Sequence, residues 1–173
     1  LSMRAARVFE YGSGASTVWL ARRAKKVISV EHDADWYAFV FERVRLQNSL
    51  CDVDLRLIKA TAQNDQPPSD DIYISQKPQT RGLDFEAYAK EIERADGPFD
   101  MIVIDGRARN ACLCHAVPNL AEGGMIVFDN SHRARYRAAI DQSGMDACCL
   151  PGLTPSLPYP DETTLLTART VAV

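Results

Sequence analysis

Two short apolar runs, each ending in an acid and separated by a glycine turn, constrain this chain most. Residues 8–19 read Val-Phe-Glu-Tyr-Gly-Ser-Gly-Ala-Ser-Thr-Val-Trp, and Val30-Glu31-His32-Asp33 follows. The first run ends in Glu10 and the Gly12-Ser13-Gly14 turn, and a helix-like spacing begins directly after it. The second run ends in Glu31. This is the layout of a βαβ nucleotide-binding unit, in which glycines admit close backbone approach and a carboxylate meets a ribose.

The same alternation continues. Strand-like patterns fall at residues 7–11, 26–31, 52–59, 99–105 and 123–129. Helix-like patterns fall at 15–25, 34–48, 83–95, 110–120 and 133–141. Asp33 is placed to cap the second helix, which would carry Trp36, Phe39, Val40, Val44 and Leu46 inward. The runs at 99–105 and 123–129 are nearly all apolar, as buried central parallel strands require. Weaker strands near 147–150 and 163–168 flank Pro151, Pro155, Pro158 and Pro160. The expectation is an α/β fold: a Rossmann-like, doubly wound, mostly parallel sheet with an antiparallel strand near its C-terminus and helices on both faces. It forms one domain over residues 1–173, interrupted at about 63–82 by an irregular polar insertion. An insertion of that length suits a lid or a surface excursion. Strand C-termini then share one edge, and Glu10, Glu31, Asp105 and Asp129 all fall there.

Composition narrows the partners. A net charge of -3 gives no footprint for nucleic acid, and no apolar run spans a membrane. With no visible leader, the expected location is cytoplasmic, and five cysteines, an odd number, suit free buried thiols better than a disulfide framework. Arg22, Arg23, Lys25 and Lys26 read as a solvated helix end.

The turn lacks the third glycine of a dinucleotide loop, because position 17 is Thr17. A carboxylate at Glu10 would also repel a pyrophosphate, whereas an ammonium and a sulfonium would welcome it. Glu10-Tyr11-Gly12-Ser13-Gly14-Ala15-Ser16 resembles the first motif of class I S-adenosylmethionine-dependent methyltransferases. Glu31, residues 99–106 and residues 123–130 resemble that family's later strand ends, so the likeness covers about residues 7–141.

The resemblance implies that Glu10, Gly12, Ser13 and Gly14 border the methionine part of S-adenosylmethionine, with a hydroxyl contact from Ser16. Glu31 would take the ribose hydroxyls. His32 and Asp33 would line the adenosine, although Asp33 as a plain helix cap is the competing reading. The family's acid after the third strand is replaced here by Lys59-Ala60-Thr61-Ala62-Gln63, which leaves Thr61 or Gln63 for adenine. Asp105, Asp129 and Asn130 are similar to the Mg²⁺-binding set of catechol O-methyltransferase; the competing reading gives Asp105 the cofactor's ammonium. No lysine follows Asp105 in sequence; Arg107 and Arg109 do, and Arg133 and Arg135 follow the next strand. These arginines point to an anionic small-molecule substrate. Asp105 and His132 are the candidate catalytic groups.

O-methylation of a small molecule by direct displacement is the favoured reading. The rivals are a nicotinamide-dependent oxidoreductase, disfavoured by Thr17 and Glu10, and a non-catalytic cofactor-binding module. No helices precede the first strand, where many small-molecule methyltransferases build their substrate lid; a truncated chain, a lid borrowed from a partner, as in a homo-oligomer, and lost activity are the three readings of that.

Overall fold

A computed structural model describes residues 3–47, 49–62, 71–153 and 160–169. A 3-10 turn at Met3–Ala5 leads into β1 (Arg7–Tyr11), α1 (Ala15–Leu20), β2 (Lys26–Glu31), α2 (Ala34–Arg45) and β3 (Asp52–Leu57). After the short strands β4 (Thr61–Ala62) and β5 (Leu83–Asp84) come α3 (Glu86–Lys90), β6 (Phe99–Ile104) and α4 (Arg109–Ala116). The chain then runs through β7 (Leu120–Phe128), α5 (Ala134–Gln142), β8 (Asp146–Leu153) and β9 (Pro160–Thr167). Seven strands form one sheet in the order β3-β2-β1-β6-β7-β9-β8. The first five are mutually parallel, while β9 runs antiparallel to both β7 and β8. This is the doubly wound, Rossmann-like architecture expected from the strand–helix rhythm. The strand order reverses between β1 and β6, so the ligand crevice opens at their C-terminal tips.

Side-chain alternation along β1 divides the core. Phe9 and Tyr11 face a large cluster with Phe85, Tyr88, Phe99, Ile104 and Phe128. Val8 faces a smaller one with Leu20, Ala24 and Val27. Glu10 has the parity of Val8 and so lies on the α1 side, in register with Ser29 of β2. Tyr11 Oη, buried in the large cluster, donates to the Ala89 carbonyl at 2.7 Å, satisfying the phenol and tying α3 to β1.

Several local expectations are corrected. The first helix ends at Leu20, and α2 buries only Val40 of its apolar residues. Trp36 and Phe39 are half exposed (47% and 48%) and stack on each other, and Leu46 is more exposed still. The helix expected at 83–95 starts later, because Leu83–Asp84 pairs antiparallel with Thr61–Ala62. Of the insertion at 63–82, residues 63–70, including Gln63, lie outside the described residues. Ile74 bridges to Asp84 and is buried. Cys112 alone among the cysteines is buried; Cys114, Cys148 and Cys149 are exposed and Cys51 lies between. Cys148 and Cys149 sit on the edge strand β8, every residue of which is exposed, and Cys51 directly precedes the edge strand β3. Among the described residues no helix is long and apolar enough to cross a membrane.

Candidate active site at the strand tips

The β1 and β6 tips meet backbone to backbone. Gly12 takes φ +93°, and a Cβ there would lie 2.8 Å from Gly106 Cα and N. A Cβ on Gly106 would in turn run into the Tyr88 hydroxyl, which is fully buried. Gly14 differs: its φ of 175° is ordinary extended backbone, and a Cβ there would meet nothing within 4 Å. The protein itself therefore demands Gly12, whereas Gly14 leaves open a space beside the loop. Gly12→Ala is expected to cost about 3 kcal/mol of stability, from left-handed strain plus backbone overlap. Gly14→Ala, whose added methyl would meet nothing within 4 Å, is expected to keep the wild-type thermal midpoint. Thermal melts of both variants check this.

Thr17, which in sequence is only a missing glycine, organises the turn. Its Oγ1 accepts from the Gly14 N–H at 2.8 Å and donates to Glu10 Oε2 at 2.5 Å. Ser29 Oγ donates to the same oxygen at 2.6 Å. Glu10 is fully buried, and its Oε1 has no hydrogen-bond partner among the described residues. Burial raises its pKa, against the pull of the Ser16, Ser29 and Thr17 hydroxyls. Glu10 thus underlies the loop and does not line the crevice.

Glu31 joins the two strand tips. Its Oε2 accepts from both the N–H and the hydroxyl of Ser13 at 3.2 Å, and its Oε1 accepts from the N–H of His32 (2.7 Å) and of Asp33 (2.9 Å). His32 Nδ1 also lies 2.7 Å from Oε1, though not aligned for a hydrogen bond. Burial pushes the Glu31 pKa up, but the contacts from His32 and Asp33 outweigh it, and the net direction is down. Glu31 is thus an anion at neutral pH. Asp33 caps α2, accepting from Asp35 and Trp36 N–H at 3.0 and 2.9 Å. Trp36 Nε1 donates to the Ser13 carbonyl at 2.7 Å, which turns the indole toward the loop. Gly12, Ser13, Glu31, His32, Asp33, Trp36 and Asp105 line a cleft of about 310 Å³, together with Gly106 and Arg107. Trp36 is the member that its expected place in the core had concealed; Gly14 and Ser16 lie on the α1 side of the turn.

Asp105 ends β6, 46% exposed toward the cleft, and its Oδ1 receives Arg109 Nη2 at 2.7 Å. Its pKa is pushed up to about 6, first by burial and further by Asp129, while Arg109 opposes. Arg109 is only 3% exposed and is spent on the protein: it donates to the carbonyls of Gly106, Asp105 and Asp129. Its guanidinium lies between the Asp105 and Asp129 carboxylates. Asp129 Oδ1 accepts from Thr163 Oγ1 at 2.9 Å, and Asn130, at φ +51°, donates to Asp161 Oδ2 at 2.6 Å. The expected Mg²⁺ set is thereby dissolved, because a buried guanidinium holds the position a divalent cation would need. The residues present do not fit that ion. Arg109→Met is expected to destabilise the fold by about 3–5 kcal/mol, leaving buried acceptors unpaired, which denaturant melts would read.

His132 Nδ1 lies 2.7 Å from Asp161 Oδ1, and the imidazole is largely open to solvent. Asp161 opens β9, next to the Pro-rich stretch, and nothing in the sequence places it beside Asn130 and His132; the antiparallel return does. Lys77 was likewise invisible as a site residue. It comes from the 63–82 insertion and, with Arg107 and Arg135, lines a second cleft of about 330 Å³ that shares Gly106 and Arg107 with the first.

A family model described as a methyltransferase domain matches residues 9–131. No curated protein matches. Among solved structures, a methyltransferase-like protein from Silicibacter pomeroyi is 20% identical with a TM-score of 0.64, covering 99% of this chain and 84% of that one. The O-methyltransferase of Bacillus cereus, solved with S-adenosylhomocysteine, is 20% identical with a TM-score of 0.66, covering 96% and 76%. The O-methyltransferase TomG of Streptomyces achromogenes, solved with S-adenosylmethionine, is 16% identical with a TM-score of 0.67, covering 97% and 75%. These likenesses are of fold. The match over residues 9–131, together with the Gly12–Gly14 turn and Glu31 at adjoining strand tips, makes the chain a member of the class I S-adenosylmethionine-dependent methyltransferases.

Proposed function

We propose that the protein transfers the methyl group of S-adenosylmethionine to an oxygen of a small molecule. The observation that carries this reading is the cleft at the β1/β6 switch point, with one ionised carboxylate, Glu31, on one wall and a second, Asp105, on the other. The cofactor supplies an electrophilic methyl on sulfur. Glu31 and the Ser13 hydroxyl would hold its ribose, Gly14 would admit its backbone-close part, and Trp36 and His32 would flank the base. Asp105 would face the positively charged end and take the acceptor's hydroxyl proton. A carboxylate with a pKa of about 6 suits that task near neutral pH. Displacement at the methyl needs little else from the protein than alignment and exclusion of water.

The oxygen acceptor is supported by the two O-methyltransferases with this fold, at the level of analogy. Incubation with labelled S-adenosylmethionine and a panel of phenols, catechols and aliphatic alcohols tests it. The expected product carries one methyl ether, formed equally well with a metal chelator present. Label appearing only on nitrogen acceptors would overturn the O-methylation reading.

A further inference from the structure

The second cleft carries one more step, which rests on the methyl-transfer reading. We infer that this cleft is the acceptor pocket and that it selects acceptors bearing a carboxylate, received by Lys77, Arg107 and the N-terminus of α4. Three independent features converge there. Lys77 lines the cleft and has no acidic partner among the described residues, unlike Arg109, which Asp105 neutralises. Arg107 Nε is buried without a hydrogen-bond partner among the described residues, a donor left over by the fold. The eight-residue helix α4 begins at the cleft wall with no side-chain cap and no acid in its first turn, so its free N–H groups and dipole favour an anion.

Arg135 adds positive charge at the rim, and its guanidinium lies over the Tyr136 ring at 4.7 Å. Among the described residues the one carboxylate lining the cleft is Asp71, whose Oδ1 accepts from the Tyr73 N–H. The cations crowd each other: the Lys77 pKa is lowered to about 8, by burial first and then by Arg107, Arg109, Arg133 and Arg135. A bound carboxylate relieves that repulsion, whereas a neutral acceptor leaves it in place. Because Gly106 and Arg107 belong to both clefts, a small acceptor anchored here by its acid reaches toward the cofactor cleft with its other end.

The test is calorimetric titration of the full chain, saturated with S-adenosylhomocysteine, with 4-hydroxybenzoate and with its neutral amide, 4-hydroxybenzamide. The carboxylate is expected to bind at least about tenfold more tightly, and Lys77→Met to erase about that factor, while Lys77→Arg retains it. Inorganic phosphate should compete with the carboxylate. S-adenosylhomocysteine affinity should stay within about twofold in Lys77→Met, since Lys77 lines the second cleft and not the first. Equal affinity for acid and amide, binding of neither, or an unaffected Lys77→Met overturns the inference. If S-adenosylhomocysteine binds and the acid shows no preference, only this inference fails. If the acid is preferred and S-adenosylhomocysteine does not bind, the methyl-transfer reading fails instead.

Discussion

Glu31→Ala is expected to weaken S-adenosylhomocysteine binding by about 100-fold or more, because the two ribose hydroxyl hydrogen bonds proposed for this charged acceptor would be lost together. The carboxylate is prepared for that role before any ligand arrives. Four donors from Ser13, His32 and Asp33 fix both of its oxygens and hold it ionised. Those contacts also give it a structural share, so part of the loss in Glu31→Ala would come from a loosened Gly12–Gly14 turn. Glu31→Gln separates the two effects. It keeps one acceptor oxygen for the backbone donors and is expected to hold the thermal midpoint better than alanine while still losing most of the affinity. The sign of the pH effect follows from the depressed pKa. The Glu31 contribution is complete above its ordinary value of 4.5 and fades only as pH falls through the lower folded value. Cofactor binding should therefore survive acidification to pH 5, as measured by titration across that range.

If Asp105 is the general base proposed above, Asp105→Asn is expected to lower kcat by about 10²- to 10⁴-fold, the usual loss when such a group is removed. Its effect on S-adenosylhomocysteine affinity should be smaller, because Glu31, Ser13 and the glycine turn remain. The amide can still accept from Arg109, so the fold is expected to persist. The pKa direction gives the mutation its signature. Asp105 titrates at about 6 because burial and Asp129 outweigh Arg109. The wild-type rate should fall as pH drops below about 6, where the base takes a proton, and the residual rate of Asp105→Asn should not show that limb. An acidic limb in kcat that survives the substitution would assign it to another group, His132 with Asp161 being next in line.

The elements that position the cofactor were legible in the chain because local pattern fixes them. β1 and β2 appear at the expected bounds, since continuous apolar runs closed by Glu10-Tyr11-Gly12 and Glu31-His32-Asp33 admit few other structures. What sequence left hidden arises from contacts between distant segments. Lys77 lies far along the chain from Arg107, and only the folding of the insertion against α4 puts both on one cleft. Asp161 reaches Asn130 and His132 because β9 returns antiparallel beside β7. The metal expectation failed for a reason that acid spacing does not express: Arg109, the first residue of α4, folds back between the two aspartates. The α2 core pattern failed because apolar spacing marks a face without showing what covers it, and Trp36 spends its face on the Ser13 carbonyl.

The Trp36 contact also supplies a readout for the central claim, since an indole at the edge of the cofactor cleft should report ligand entry through its fluorescence. Titration of the wild-type chain with S-adenosylhomocysteine and, separately, with NAD, followed by calorimetry and by tryptophan emission, is the most direct measurement. The account predicts saturable S-adenosylhomocysteine binding that shifts the emission, abolished in Glu31→Ala, and no binding of NAD. Saturable NAD binding with no response to S-adenosylhomocysteine would contradict it.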